Sequence, residues 1–332
     1  MIPRMKTLSN QALATGQTRG IRSSFLLPLA LTLTTLAACG GGDAEEGGSA
    51  SEGQLLVEWH DPGTQTKKKS EGLMKIGQRD GAWTWWHENG QIAVKGEFTD
   101  GSESGTWLEY HPNGQKGSVI TWVDGAKEGK TEHWHPNGKQ SMEGEYKLNS
   151  PIGKHSAWFP NGELAMESSY VDGQVDGDVS EYWDSGQLRK EGAFSAGKQT
   201  GKWSSYHANG NIESTGDFLD GLQDGTWTIL HPGGELLMEM PYENGKLNGT
   251  ITRLHPSGNM ESVLVYVDGM QVGHEEATFP DGKSRWSGDY TDGLRSGEWK
   301  FWNPDGSMNQ QLSGIYEAGA RVKDMEGNAA TK

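Results

Sequence analysis

The chain has 332 residues, only 33% of them apolar, with 49 glycines, 12 prolines, one cysteine and a formal charge of −16. So large an acidic excess excludes the usual nucleic-acid binder, which neutralises phosphates with Lys and Arg, and disfavours broad docking onto anionic lipid. With one cysteine no intramolecular disulfide can form, so packing alone has to hold the fold together.

The first 22 residues carry Arg4, Lys6, Arg19 and Arg22 and no acid, and residues 25–38, FLLPLALTLTTLAA, are uncharged. That layout predicts a signal peptide over residues 1–38, with an apolar run too short to span a bilayer comfortably. Leu36-Ala37-Ala38-Cys39 resembles the bacterial lipobox, in which the signal is cut before the cysteine and the cysteine is lipidated. Cys39 is therefore the expected lipidation site and membrane anchor. The alternative is a stray buried thiol behind an ordinary cleavage site. By the same resemblance, Gly40 directly after the cysteine implies sorting to the outer rather than the inner membrane. Residues 39–53 read as the anchor and a flexible Gly/Ser/acidic tether. Cleavage would leave 25 basic residues against 45 acidic ones, a charge of −20.

From about residue 54 to 319 one pattern returns every 24 residues. A glycine column runs Gly90, Gly114, Gly138 and onward in unbroken phase to Gly306, and a second runs from Gly81 to Gly297. A third, from Gly77 to Gly293, is interrupted only by Asn149. Aromatic columns keep the same phase. One runs from Phe98 to Tyr290. A second starts Trp86, Tyr110, Trp134, Trp158, Tyr182 and Tyr206. A patchier third holds Trp83, Trp107, Trp203, Trp227 and Trp299. Ten units are regular. A worn one precedes them and needs three inserted residues near Lys67, Lys68 and Lys69 to fit the phase. Tyr316 lies two residues late, which places a two-residue insertion in the last unit.

Within a unit, such as residues 81–101, an aromatic-rich run ends at a turn of the HPNG type, and a second run ends at Asp-Gly. Pro fixes φ, and Asn and Gly tolerate positive φ, so each unit predicts a β-hairpin whose Asp-Gly turn leads into the next. Glycines and prolines leave no long window for a helix. The fold class is therefore all-β: tandem antiparallel hairpins of 24 residues stacked into an elongated twisted sheet or solenoid, each unit adding roughly 9.6 Å. Trp83 and Trp86 are three residues apart, so they face opposite sides unless a bulge intervenes. The expectation is that the Trp86 column forms the core. Residues 320–332 are expected to be a disordered tail.

The pattern G-x-W-x-x-[WY]-H-P-N-G followed by G-x-[YF]-x-D-G-x-x-x-G resembles the bacterial variant of the MORN repeat, over about residues 55–319. That resemblance implies tandem hairpins. It also implies several roles: some bacterial members are labelled antitoxins of a toxin–antitoxin system, and eukaryotic MORN proteins are mostly scaffolds. Fold does not fix function.

Six histidines share a column: His87, His111, His135, His207, His231 and His255. Neighbours roughly 9.6 Å apart cannot share a zinc ion whose donors lie at about 2 Å, so each is read as a turn residue with one local hydrogen bond. Asp100, Asp124, Asp172, Asp220, Asp268 and Asp292 read as turn aspartates for the same reason. No metal or cofactor is expected. No G-x-S-x-G, H-E-x-x-H or phosphate-cradling loop is present, and the expectation is a protein that is not an enzyme. The five tryptophans Trp83, Trp107, Trp203, Trp227 and Trp299 are the candidate binding platform: exposed, they would stack against an extended partner; buried, they are core. The functional expectation is a lipid-anchored binding or scaffold module at a Gram-negative cell envelope, with an unknown protein or polysaccharide as partner and no nucleic acid. The alternatives are a glycan or peptidoglycan binder using aligned Trp, and an antitoxin-like inhibitor of a toxin.

Overall fold

A computed structural model describes residues 53–329. The expected signal peptide, Cys39 and nearly all of the tether lie outside the described residues. Among those described there are 24 strands and no helix. Consecutive strands pair antiparallel along the chain, from β1 (Gln54–Trp59) with β2 (Lys68–Lys75), β3 (Gln78–Trp86), β4 (Ile92–Thr99) and β5 (Ser102–Tyr110), to β22 (Leu294–Phe301), β23 (Gly314–Glu317) and β24 (Ala320–Lys323). One strand is broken in two at Asn248, giving Lys246–Leu247 and Gly249–Leu254. The all-β array of hairpins is as the periodicity predicts: one worn unit, then ten regular ones.

Two kinds of turn close the units. At the Asp-Gly end Thr99 pairs with Ser102, and both residues between them have positive φ, 47° at Asp100 and 84° at Gly101. That is a two-residue turn whose twist matches the strands it joins. At the HPNG end the His87 amide donates to Gln91 O and the Gly90 amide to His87 O. In the worn unit the corresponding loop runs from His60 to Lys67, so the three extra residues lie there. The insertion thus ends at Lys67, and Lys68 and Lys69 sit in β2, beside Glu71 and Glu58.

The glycine column from Gly81 to Gly297 marks a bulge. Gly72 pairs with Trp83, but its neighbour Leu73 pairs with Asp80, so Gly81 and Ala82 are extra on β3. Gly81 has φ of 66°, a conformation that costs a residue with a Cβ. The same skip recurs between Lys95–Leu108 and Glu97–Ser104 on β4 and β5.

The core corrects the sequence reading. Trp83, Trp203, Trp227 and Trp299 are 1%, 3%, 8% and 0% exposed, and Trp107 is half-buried. These five are not a stacking platform. Each indole lies against a glycine of the preceding strand: Gly72, Gly96, Gly192, Gly216 and Gly288. A Cβ built on any of them would fall 2.2–2.4 Å from a ring carbon. Each indole N–H donates to the carbonyl one residue past that glycine, as Trp83 does to Leu73 O at 3.0 Å and Trp299 to Asp289 O at 3.0 Å. The Phe98 column fills the gaps edge-on. Phe98 stands 6.2 Å from Trp83 and 5.1 Å from Trp107, and Phe218 bridges Trp203 and Trp227 at 5.9 and 5.1 Å. Such pairs contribute about 0.5–1.5 kcal/mol each beyond their buried area.

The tail is a second correction. Residues 320–323 form β24, and a bridge between Lys323 and Ala329 folds the following residues back along its outer edge. The Arg321 guanidinium donates to Ser313 O and Gln310 O, tying that strand to the long loop that precedes β23.

Candidate binding surface

Alternation along a strand puts Thr84 and Trp86 on the face opposite Trp83 and Trp85. The Trp86 column is therefore the second face of the sheet. Trp86, Tyr110, Trp134, Trp158, Tyr182 and Tyr206 are all half-buried, one ring per unit. Lysines lie over three of them: Lys68 over Trp86 at 5.6 Å, Lys95 over Tyr110 at 5.9 Å and Lys116 over Trp134 at 4.5 Å. Tyr206 donates its hydroxyl to Glu191 at 2.5 Å, which holds its proton more tightly than an ordinary phenol.

Beside the rings the same face is charged. Lys130 meets Glu132 at 2.9 Å and Glu143 at 3.3 Å, and hydrogen bonds to these two carboxylates raise its pKa. Lys154 meets Glu167 at 2.5 Å, with the same effect on its own pKa. The pairs are largely exposed, so each is worth little in stability, typically below about 1 kcal/mol. What they fix is charge pattern: a ring once per unit and carboxylates next to it.

The histidine column lies at the rim of this face and is structural. Nε2–H of His87, His111 and His135 donates to Tyr110 O, Trp134 O and Trp158 O, each at 2.8 Å, one unit onward. His207 and His255 do the same at 3.0 Å, and His60 in the worn unit reaches Trp86 O at 2.9 Å. His231 is the exception, its Nε2 buried without a protein partner. Asn89, Asn113 and Asn137 add a second link, from Nδ2 to Pro112 O, Pro136 O and Pro160 O at 2.6 Å. HPNG is thus a stacking device between units. The aspartate column supplies the first positive-φ residue of the Asp-Gly turns, with Lys198 3.7 Å from Asp220 across neighbouring turns. Among the described residues no three His, Cys, Asp or Glu side chains converge as metal ligands do.

Two shallow clefts mark the ends of the array. One of about 300 Å³ lies between the worn unit's loop and the first HPNG-type turn, lined by Thr66, Lys67, Lys68, Trp86 and Asn89. Another of about 280 Å³ lies where the last unit carries its insertion, lined by Phe279, Arg285, Trp286, Arg295, Phe301 and Trp302. Arg285 is already engaged there, stacked 4.6 Å over Trp286 and 3.7 Å from Glu261.

Sequence reasoning gave the core to the Trp86 column and left the Trp83 column open between binding platform and core. The signal that separates them sits eleven residues ahead of each Trp in the patchy column, where a glycine always stands.

Four segments of the chain, 79–100, 175–195, 199–220 and 223–246, match the family model described as MORN repeat variant. The first runs through β3 and β4, one hairpin of the array. No curated protein sequence matches the chain. Among solved structures, TcdB2-TccC3 is 11% identical with a TM-score of 0.17, covering 83% of this chain and 18% of that one. The Photorhabdus luminescens Tc holotoxin pore is 12% identical with a TM-score of 0.15, covering 81% and 16%. Choline binding protein F from Streptococcus pneumoniae is 12% identical with a TM-score of 0.19, covering 81% and 99%. The chain thus spans less than a fifth of the first two. None of the three bears on what this chain does.

Proposed function

We propose that this MORN-variant repeat chain is a non-catalytic binding or scaffold module, held at a bacterial cell envelope by lipid on Cys39. The observation that carries the reading is the second face: a half-buried ring in each of six consecutive units, from Trp86 to Tyr206, beside alternating carboxylates and lysines. A surface periodic at one ring per unit suits an extended partner with its own repeat. A glycan strand is the second reading, and the same rings favour it, because sugar rings stack on aromatic faces. Trp83, Trp203, Trp227 and Trp299 play no part in either reading, since they are buried.

The test is affinity capture from the native host with a C-terminal tag, alongside a Trp134→Ala/Trp158→Ala variant. Identification of captured protein by mass spectrometry and of glycan by sugar analysis should give one stoichiometric partner, lost at least tenfold in the variant. Equal capture by the folded variant would remove the second face from the function. The anchor has its own check: Cys39→Ser should abolish lipid labelling and release the chain from the membrane fraction. An unchanged mature mass would sink the anchor.

A further inference from the structure

The two ends of the sheet differ. At the far end the edge is closed: β24 is four residues long, carries Arg321 and Lys323, and is overlaid by the chain's own Ala329. These are the devices by which proteins blunt a sheet edge. Among the described residues nothing overlies the β1 edge, and its one charge is Glu58. It is six residues, QLLVEW, without Lys or Pro, and Leu55 and Leu56 are 61% and 39% exposed.

The core is also unfinished at that end. Leu56 pairs with Gly72 as Trp83 pairs with Gly96, so Leu56 stands in the buried tryptophan column. Trp83 lies against a glycine of the strand before it, and Leu56 has no such strand among the described residues. At the closed end Trp299 is fully covered, packed with Phe301 and Tyr316.

We propose that the β1 edge pairs antiparallel with the β1 edge of a second copy of this chain, making one continuous sheet across a two-fold axis. Self-pairing on a two-fold requires a register that matches the strand to itself and keeps each face on its own side. With Leu56 opposite Leu56 of the second copy, Leu55 meets Val57 twice and Gln54 meets Glu58 twice. Apolar residues then face apolar ones, each carboxylate faces an amide donor, and no like charges oppose. Leu56 and its counterpart continue the buried column through the axis. The chain's own upstream residues are poor occupants: 40–52 hold no β-branched or aromatic residue and four acids. Six paired residues bury less than the roughly 1,200 Å² of a standard interface, so the dimer depends on concentration.

The experiment is site-directed disulfide trapping in the full-length protein, purified in detergent. Leu56→Cys is compared with Leu148→Cys, which is exposed on a turn far from the edge, and with wild type, which reports any background from Cys39. Leu56→Cys should give a reducible dimer at least tenfold faster than either. Light scattering of the wild type should show a mass rising toward twice that of one chain with concentration. Leu55→Lys/Val57→Lys, with circular dichroism unchanged, should return it to a single-chain mass at every concentration. A wild type that stays monomeric with no excess trapping overturns the proposal. So does a dimer that Leu56→Cys fails to trap, or trapping of a different protein at position 56 in cells.

Discussion

Gly192–Trp203 and Ser168–Val179 occupy the same two places in neighbouring units, one with nothing opposite a large ring and one with a small side chain opposite a medium one. The same exchange recurs along the chain. Trp stands opposite Gly in five units, whereas Thr131 faces Ile120, Ile251 faces Met240 and Glu275 faces Leu264. At each of these places the two side chains share one space, filled from either side. The lesson is that the 24-residue phase constrains the backbone there, not the identity of either residue. Glu275 shows how far this goes: its buried carboxyl group accepts from Trp286 Nε1–H at 2.9 Å and Gln271 Nε2–H at 3.0 Å, so even so polar a group is accommodated once its oxygens are satisfied.

The sharpest way to break this comparison is to disturb one partner without the other. Gly192→Val puts its Cβ 2.2 Å from the Trp203 ring and should destabilise the array by about 3 kcal/mol, the upper range for overpacking. Trp203→Ala should cost about 3–5 kcal/mol, since it also strands the Ala193 carbonyl that takes the indole proton. The double variant Gly192→Ser/Trp203→Val copies the neighbouring pair. Urea unfolding of it and its two single variants should give a favourable coupling of about 1–3 kcal/mol. Strict additivity would mean that the two positions do not share one space.

Such a test also shows what could be read in the sequence. The hairpins, their phase and both turns were legible, because turn chemistry is local: Asp100-Gly101 and His87–Gly90 carry their geometry in their own residues. The choice of buried face was not. Both aromatic columns obey the same periodicity, and the Trp86 column is the more complete, so counting rings favours it. The deciding fact is a residue eleven positions earlier on another strand, a tertiary relation that periodicity alone does not reveal. A bulge was anticipated only between Trp83 and Trp86, as an alternative; the one at Gly81 was missed. The ordered residues beyond Gly319 were missed because four-residue strands leave too little pattern. On the candidate surface, the Trp86 rings were visible in the sequence but assigned to the core.

One unit sharpens the comparison further. Opposite Gly144 the tryptophan place holds His155, whose Nε2–H donates to Glu145 O at 3.0 Å between the rings of Tyr146 and Tyr170. Burial pushes the imidazole pKa below its ordinary value, and His133, on the other side of this hairpin, is lowered by burial too. Well above pH 6.5 both are neutral folded or unfolded, and pH has no effect through them. Below that the unfolded chain takes up protons that the folded one refuses, so stability falls as the pH drops and levels off beneath the folded pKa values. Stability should therefore fall from pH 7 to pH 5. His155→Trp restores the pair found in five other units. Melting temperatures measured across that range should show a more stable array with a flatter slope, the remainder belonging to His133. An unchanged slope would place the acid sensitivity elsewhere.

The turns offer no such exchange, and this separates them from the core. Residue 76 takes the place held by Asp100 and Asp124, with φ of 50°, but it is isoleucine, 84% exposed. A β-branched residue in that conformation is strained by about 1–2 kcal/mol, and no partner across the turn can relieve it by changing size. Ile76→Asn should therefore stabilise the first regular junction by about 1 kcal/mol on its own, with no second substitution needed. Hydrogen exchange of the β2 and β3 amides, slowed roughly fivefold for that gain, would read the effect locally. If protection is unchanged, the strain at Ile76 is not limiting there, and the worn unit opens by another route, such as the β1 edge.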